Sequence, residues 1–401
     1  MKQFLLLLNY KIPYFGMKKV LYITFESLEN DSILHSQVVS LVKQLNNEYL
    51  IDIITFDSSQ FIKQYPASTG FIFFKRRSYL LSVFTLTAWL FKHRKRYHLL
   101  HIRSYLPMFA VAIFRLFIDI PIIFDMRGVM AHEFLLRSKS STSFSKKLQY
   151  YISFLVFLVA EKLFINICDA IVVVSHPFYN YVQRWNFRRS PIHVIPTFIE
   201  PIRDTSSHNQ GYHFFDSSHN TFVYSGSIDV WQQFPKVLEL FSYIYKFNPH
   251  SRLLVLTPQV EKAAMLVLGT LPAGSYHITK VKSSEVKNIL SLCDYGILLR
   301  ENNLVNLVAA PIKFAEYIAS RLKVIITDNI GDASEHVTIN DFGLILENLE
   351  SATIIDFVKT NTDKLKCKEK LPPHKVKALL DSTYSLETAT SRYKDLYISL
   401  I

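Results

Sequence analysis

Short apolar runs alternate along the chain with longer stretches whose apolar positions recur at helical spacing. In the first half "KVLYITF" (from Lys18), "LIDIITF" (Leu50), "LLHIR" (Leu99), "PIIFD" (Pro121), "AIVVVS" (Ala170) and "IHVI" (Ile192) predict strands. The second half adds "TFVYS" (Thr221), "RLLVLT" (Arg252), "YHITKV" (Tyr276), "YGILL" (Tyr295) and "KVIIT" (Lys323). These runs are apolar almost throughout instead of alternating, the pattern of strands covered on both faces. Separated by helices, they predict parallel sheets, so the expected fold is α/β with two doubly wound, Rossmann-like domains in tandem.

The length of 401 residues suits two cores of ordinary size. A polar stretch rich in Ser, His and Asn, "TFIEPIRDTSSHNQGYHFFDSSHN", separates the halves. The expected domains are therefore 1–200 and 221–384, with 201–220 as linker and an amphipathic helix over 385–401. Residues 1–16 precede "MKKVLYITF" as an extension whose apolar core is too short for a secretory signal. Ligands are expected at the carboxyl ends of strands and in a cleft between the domains.

Several occupants of such a fold are excluded by missing motifs. "ESLENDS" after the first strand has no GxGxxG, "GTLPAGS" has P-loop glycine spacing without the lysine, and HExxH, GxSxG and a DxD pair are all lacking. No metal and no cofactor are expected. Three scattered cysteines (Cys168, Cys293, Cys367) fit neither a disulfide framework nor a metal knuckle, and a reducing cytoplasm suits them.

A net charge of +12 accompanies 31 Phe and 22 Tyr, and the mean hydropathy is +0.16. Nucleic-acid binders are basic but seldom this apolar, so an anionic membrane surface is the expected partner and nucleic acid is not. "FFKRRSYLLSVFTLTAWLFKHRKRYH" (Phe73 to His98) sets an apolar helix between basic clusters and is read as an interfacial element. "SKSSTSFSKKLQYYISFLVFLVAEK" repeats the scheme with Lys139, Lys146 and Lys147, but its apolar face is wide enough to predict a buried core helix. Neither apolar run reaches the about 20 residues of a membrane span, so no transmembrane helix is expected.

The densest candidate chemistry lies in "AAPIKFAEYIAS", Ala309 to Ser320. Pro311 suits a helix start, where its missing N–H is no loss, and the loop before it, "LVNLVAA" ending at Ala310, brings free backbone N–H groups and the positive helix end to the strand-end face. Lys313 adds a full charge there, and Glu316 follows one turn later on the same side. Lysine and helix start suit a diphosphate; a carboxylate suits the two hydroxyls of a ribose. A surface Lys–Glu pair on an amphipathic helix is the plain alternative.

In this region the chain resembles family 4 of the retaining glycosyltransferases. The likeness rests on Cys293 to Asp332, on "LAEKLFINICDAIVVVSHPFYNYV" with "VIPTFIE", on "FVYSGSIDVWQQFPKVLELF" and on "IIFDMRGVMAHE". It implies the GT-B fold, with an acceptor-binding first domain, a donor-binding second domain and a final helix crossing back to the first. It implies that Glu316 grips the donor ribose, with Lys313, Arg300, Asn306, Gly226 and Ser227 around the sugar and diphosphate. Arg127 and Asp125 of "DMRG" and His101 are expected near the reacting centre, and Arg103, His132 and Glu133 near the acceptor. The alternative for "DMRG" is that Asp125 and Arg127 pair to brace the loop. The implied reaction is a front-face transfer in which the leaving diphosphate helps deprotonate the incoming hydroxyl.

Two departures stand out. Val308 occupies the position of the family's second glutamate, and the Arg and Lys usual after Gly226 are replaced by "SIDVWQQ". The expected activity is metal-independent transfer of a sugar from a nucleotide-diphosphate sugar to a lipid-linked saccharide, in bacterial capsule or O-antigen synthesis on the inner face of the cytoplasmic membrane. The alternatives are a degenerate GT-B subunit that binds without turnover, and a GT-B nucleotide-sugar epimerase. The sequence carries no signal for oligomeric state.

Overall fold

The computed structural model describes residues 16–28, 32–56, 69–74, 78–200 and 218–401. Nearly all of the 1–16 extension, most of the 201–220 linker and the basic residues Lys75, Arg76 and Arg77 lie outside the described residues. The chain divides into two compact units, one comprising residues 1–200 with Ser385–Ile401 and the other residues 201–384.

The first unit is built on β1 (Lys19–Ile23), β2 (Leu50–Thr55), β3 (Gly70–Phe73), β4 (Leu99–Arg103), β5 (Ile122–Asp125), β6 (Ala170–Val173) and β7 (Ile192–Val194), in the order β3-β2-β1-β4-β5-β6-β7. The second holds β8 (Asn220–Ser225), β9 (Ser251–Leu256), β10 (Tyr276–Thr279), β11 (Tyr295–Leu298), β12 (Lys323–Thr327) and β13 (Gly343–Leu346), in the order β10-β9-β8-β11-β12-β13. Neighbouring strands are parallel in both sheets: Val20 of β1 pairs with Ile51 on one side and Leu99 on the other. Such pairing forces each connection through a helix, which is why the strands are buried on both faces. In each sheet the order reverses beside the first strand, β1 or β8, the switch point at whose carboxyl ends open α/β sheets bind ligands.

Each predicted strand is present. The two that the sequence pattern does not reveal, β3 and β13, are edge strands of four residues, each opening on glycine. Both are apolar throughout, but four residues are too short a run to stand out as a strand.

Two contacts seat the helix Ile312–Ala319 in the second unit. Tyr317 lies flat on Gly296 of β11, where an added methyl would stand 2.3 Å from its ring, and its hydroxyl accepts the N–H of Ser225 at 3.0 Å. The helix face bearing Lys313 and Glu316 is thus fixed against the ends of β8 and β11.

In the first unit the structure corrects one expectation. The segment predicted as a buried core helix forms Phe144–Ile167, 24 residues, long and apolar enough by length and composition to cross a membrane, with only 22% of its apolar window buried. Its last part is locked into the unit: Ala160, Phe164 and Ile165 are buried, and fully buried Glu161 accepts the hydroxyls of Tyr105 and Tyr181 at 2.5 and 2.6 Å. Leu148, Ile152, Leu155, Val156 and Val159 instead face solvent. The sequence pattern showed an apolar helix correctly but could not show that one flank has nothing over it.

Candidate functional site

Charged side chains gather at the carboxyl edge of each sheet. In the second unit β8 ends at Ser225 and the chain turns at Gly226, whose φ of +130° lies where side chains are rarely tolerated. Glycine is required there for a second reason. A Cβ would stand 2.3 Å from Cε and 2.4 Å from Nζ of Lys313, which crosses directly over this turn.

The Lys313 ammonium donates to Oε1 of Gln232 at 2.7 Å and lies 4.6 Å from the centroid of the Tyr224 ring. Arg300, just past β11, is held by its N–H to Oγ1 of Thr327 at 2.8 Å and by Nη1 to the Trp231 carbonyl at 3.1 Å. Burial pulls the Arg300 guanidinium down to about 10. Burial, with Arg300 adding to it, holds Lys313 well below the ordinary lysine range. Among the described residues neither cation is in an ion pair; Glu316 and Asp229 act on Lys313 only from a distance. Two desolvated cations with carboxylates only at a distance are costly on their own and are relieved by a bound anion.

Glu316 lies one turn along the helix from Lys313. Burial raises its carboxyl above the usual range, with Lys313 opposing. No hydrogen bond to this carboxylate occurs among the described residues, so its oxygens are free to accept from a vicinal diol. Pro311 stands at the cap of the helix, with ψ 121°, rather than inside its first turn. Ala310 precedes it, partly exposed.

Asn306 and Ser227, both expected to contact the donor, already hold partners of their own. Asn306 is 2% exposed, its N–H is capped by Asn303 at 3.1 Å, and its Nδ2 donates to the Glu301 carbonyl at 2.9 Å. It shapes the loop, and its amide nitrogen is already engaged. Ser227 spends its hydroxyl on Oδ2 of Asp229 at 2.6 Å, leaving its backbone for a ligand. Sequence reading missed Tyr224, Gln232 and Asp229. Tyr224 reads as one more apolar strand residue, and nothing in the sequence brings Gln232 to a lysine 81 positions away.

Gly226→Ala is expected to push the Lys313 ammonium off Gln232 and weaken the binding of an anion at this turn, with pyrophosphate as probe, by about tenfold or more, the worth of one charged hydrogen bond. Isothermal titration checks this. A melting temperature lowered by strain at the turn, with affinity unchanged, would contradict it.

In the first unit, Asp125 ends β5 and is fully buried. Its Oδ2 accepts from Arg127 Nη2 at 2.8 Å, Tyr393 at 3.2 Å and His101 Nε2 at 3.3 Å, with Arg103 Nη1 at 3.8 Å. Burial would raise the Asp125 carboxyl, but Arg127, the His101 hydrogen bond and Arg103 outweigh it and hold it far below the ordinary range. Burial lowers His101 more than Asp125 raises it. The ring is thus a neutral imidazole, donating from Nε2 to Asp125 while Nδ1 accepts from Tyr397 at 2.6 Å. Arg127 also donates to Tyr393 at 2.5 Å and to the Ile195 carbonyl at 3.4 Å.

The structure thus gathers Asp125, His101 and Arg127, expected near the reacting centre, into one cluster. Two of the three are sealed from solvent, and Arg127 is turned inward, so the bracing alternative describes them. Arg103, 6% exposed, lies between Asp125 and Glu26, 3.9 Å from the latter. Its Nε and Nη1 make no hydrogen bond. The next residue, Ser104, holds φ 71° and ψ 178°, a conformation that costs a serine about 1–3 kcal/mol. His132 is half-buried against Phe154 and Tyr181, and burial lowers its pKa. Glu133 reaches toward Gly128, and burial raises its carboxyl.

Among the described residues no group of three His, Cys, Asp or Glu side chains is placed to hold a metal ion. The positive charge at the second sheet comes from Lys313 and Arg300.

Residues 35–203 match the model of Glycosyltransferase Family 4. No curated protein matches the sequence. Among solved structures the chain is similar to sucrose-phosphate synthase from Thermosynechococcus elongatus, at 13% identity and TM-score 0.72, covering 96% of this chain and 99% of that one. It is likewise similar to HepE from Anabaena in complex with UDP and glucose (12%, TM-score 0.70, 96% and 100%). WaaG, a glycosyltransferase of lipopolysaccharide biosynthesis, follows at 11% and TM-score 0.64, covering 94% and 99%. At these identities the likeness shows the fold, two Rossmann-like domains of the GT-B kind.

Proposed function

We propose, from the match of residues 35–203 to the model of Glycosyltransferase Family 4, that the chain transfers a sugar, with retention, from a nucleoside-diphosphate sugar to a hydroxyl of a lipid-linked saccharide. The observation that carries this is the pair of buried cations, Lys313 and Arg300, in no ion pair among the described residues, beside the Glu316 carboxylate that accepts no hydrogen bond from them. Lys313 and Arg300 take the diphosphate and Glu316 the ribose diol. In the reaction the anomeric C–O bond to the diphosphate breaks and a new C–O bond forms to the acceptor oxygen. The hydroxyl proton passes to the leaving diphosphate. The protein's part is alignment and stabilisation of the charge that grows on the leaving oxygen, work that fixed cations in a dry site do well. The setting we infer is bacterial surface polysaccharide synthesis at the inner face of the cytoplasmic membrane, with no metal required.

HepE, with which the chain shares its fold, has been solved with UDP-glucose, so uridine nucleotides lead the panel to be tried. The test is stabilisation of the protein against heat by uridine, guanosine, adenosine and thymidine diphosphates, then release of the nucleoside diphosphate from the matching sugar with membrane extract as acceptor. One signature is specific to this site. Lys313 has a depressed pKa when free, and a bound diphosphate raises it. Binding should therefore take up protons and weaken as the pH rises through the range between the two values. Titration in buffers of different ionisation heat reads that uptake, and zero uptake would remove Lys313 from the diphosphate.

One observation favours a second reading, a subunit that binds nucleotide sugar without turnover. Val308 is fully buried where the family's usual motif has a glutamate. Measurable donor binding with no nucleoside diphosphate released on any acceptor would select it.

A further inference from the structure

Most of the large apolar side chains exposed among the described residues belong to one helical layer of the first unit. The helices Tyr79–His93, Tyr105–Arg115 and Phe144–Ile167 all make rightward crossovers in the sheet order, which with right-handed connections places them on the same face. They pack side by side, through Phe91 on Phe114 at 5.3 Å and Phe109 on Phe157 at 5.6 Å. The outermost, Phe144–Ile167, turns its inner side to this layer and to the helix Met130–Ser140, with Phe157 on Phe134 at 5.1 Å. Its outer side is a stripe at helical spacing, from Leu148 through Ile152, Leu155 and Val159 to Leu163, each between 45% and 70% exposed. Of the two charges near its end, Glu161 points into the unit and Lys162 lies over the Trp185 ring at 3.7 Å.

Chain lengths put this stripe beside the first sheet's carboxyl edge. The helix Met130–Ser140 leaves that edge after β5, and the 24 residues of Phe144–Ile167 return to the start of β6 at the opposite edge. At about 1.5 Å per residue the return is near 36 Å, against roughly 13 Å for the four residues of β6. The two helices therefore project beyond the edge as a hairpin, whose tip carries exposed Lys139, Lys146 and Lys147 with Phe144 at 81% exposure. The start of Tyr79–His93, at the same edge because it follows β3, exposes Tyr79, Leu80 and Phe84.

We propose that this layer is the surface by which the protein docks on an anionic lipid bilayer, with the Phe144–Ile167 stripe lying in the headgroup and acyl boundary and the hairpin-tip lysines on lipid phosphates. A second copy of the chain is the other occupant an apolar stripe suits, but a cluster of three lysines beside the stripe would meet its own like charge there, whereas it matches a negative leaflet. The helix lies on the membrane and does not span it, because its carboxyl-terminal third is fixed in the unit core by Glu161 and Phe164. The inference deepens the lipid-linked acceptor reading and rests on it for its purpose: the edge expected to meet the acceptor is held at the lipid surface.

The experiment is sedimentation of the full chain with vesicles, without donor or acceptor. Phosphatidylcholine vesicles with and without phosphatidylglycerol are compared, using the wild type, Ile152→Glu with Val156→Glu, and Lys146→Ala with Lys147→Ala. Both doubles change solvent-facing residues, and retained thermal stabilisation by nucleoside diphosphate shows them folded. The expected result is salt-sensitive binding to the anionic vesicles that each double weakens by about tenfold or more. Wild type that fails to bind, or a glutamate double that binds equally well, overturns the proposal. A soluble dimer that the glutamate double dissociates, with no vesicle binding, overturns it in favour of a second copy. Glu316→Ala separates the two readings, since it should lose transfer and still sediment with vesicles.

Discussion

Glu316→Ala is expected to abolish glycosyl transfer, by about 10³-fold or more in kcat/KM, while leaving the protein at least as stable as before. The two halves of this result have one cause. Burial raises the carboxyl above its ordinary value and Lys313 only partly opposes this, so the folded state holds the proton more tightly than the unfolded chain. For such a group stability falls as the pH climbs from the unfolded pKa through the folded one, and at neutral pH the ionised carboxylate is a burden on the fold. Alanine removes that burden together with the ribose contact. Lys313 carries the mirror sign: its folded pKa is depressed, so below the unfolded value it too weakens the empty protein. Residues that cost stability when free are explained by what they bind. Thermal unfolding and initial rates, measured on one preparation across pH 6–8, decide the matter. Full activity in the variant would end the donor-site assignment, and a collapsed melting temperature would show Glu316 to be structural.

Asp125→Ala has the opposite character, an expected loss of about 3–5 kcal/mol of first-unit stability, typical of removing one partner from a buried ionic cluster. One oxygen, Oδ2, gathers Arg127, His101 and Tyr393, and without it the Arg127 guanidinium stays inside with no counter-charge. The pH sign follows from the depressed carboxyl. Its contribution is complete above the ordinary carboxylate range and is lost only in strongly acid solution, as the pH falls through the folded pKa. His101, lowered by burial, acts sooner: below the ordinary histidine range the unfolded chain takes up a proton that the folded ring refuses, and stability declines there. Chemical denaturation monitored over this pH range should show both slopes, and Asp125→Ala should remove the stronger one. Unchanged stability would mean that the cluster does not brace the unit.

The legible part of this protein was whatever depends on local sequence. The nine central strands announce themselves because both faces are covered, and the edge strands β7 and β10 were legible too, whereas β3 and β13, four residues each at sheet edges, were not. Lys313 and Glu316 were legible because three residues of one helix place them side by side. Gly226 was legible as a turn, but its deeper constraint, the lysine crossing above it, comes from far along the chain. The "DMRG" loop left chemistry and bracing both open because a strand-end Asp and Arg look alike whether they face a substrate or a neighbour. What decides between the two is the pair Tyr393 and Tyr397, nearly 270 residues later, and no local pattern couples them. The exposed flank of Phe144–Ile167 escaped for the complementary reason: an apolar stripe states a preference for low dielectric without saying whether protein or lipid supplies it.

The return of Leu386–Ile398 to the first unit sets the order in which the protein can be finished. As the chain leaves the ribosome, Asp125, His101 and Arg127 emerge early and must wait, incompletely covered, while all of residues 201–384 are made. Only then do Tyr393 and Tyr397 arrive to close over them. The half begun first is thus completed last, and during that interval a nascent chain with an open, charged core and a greasy helical flank is the form most in need of a chaperone or a nearby bilayer.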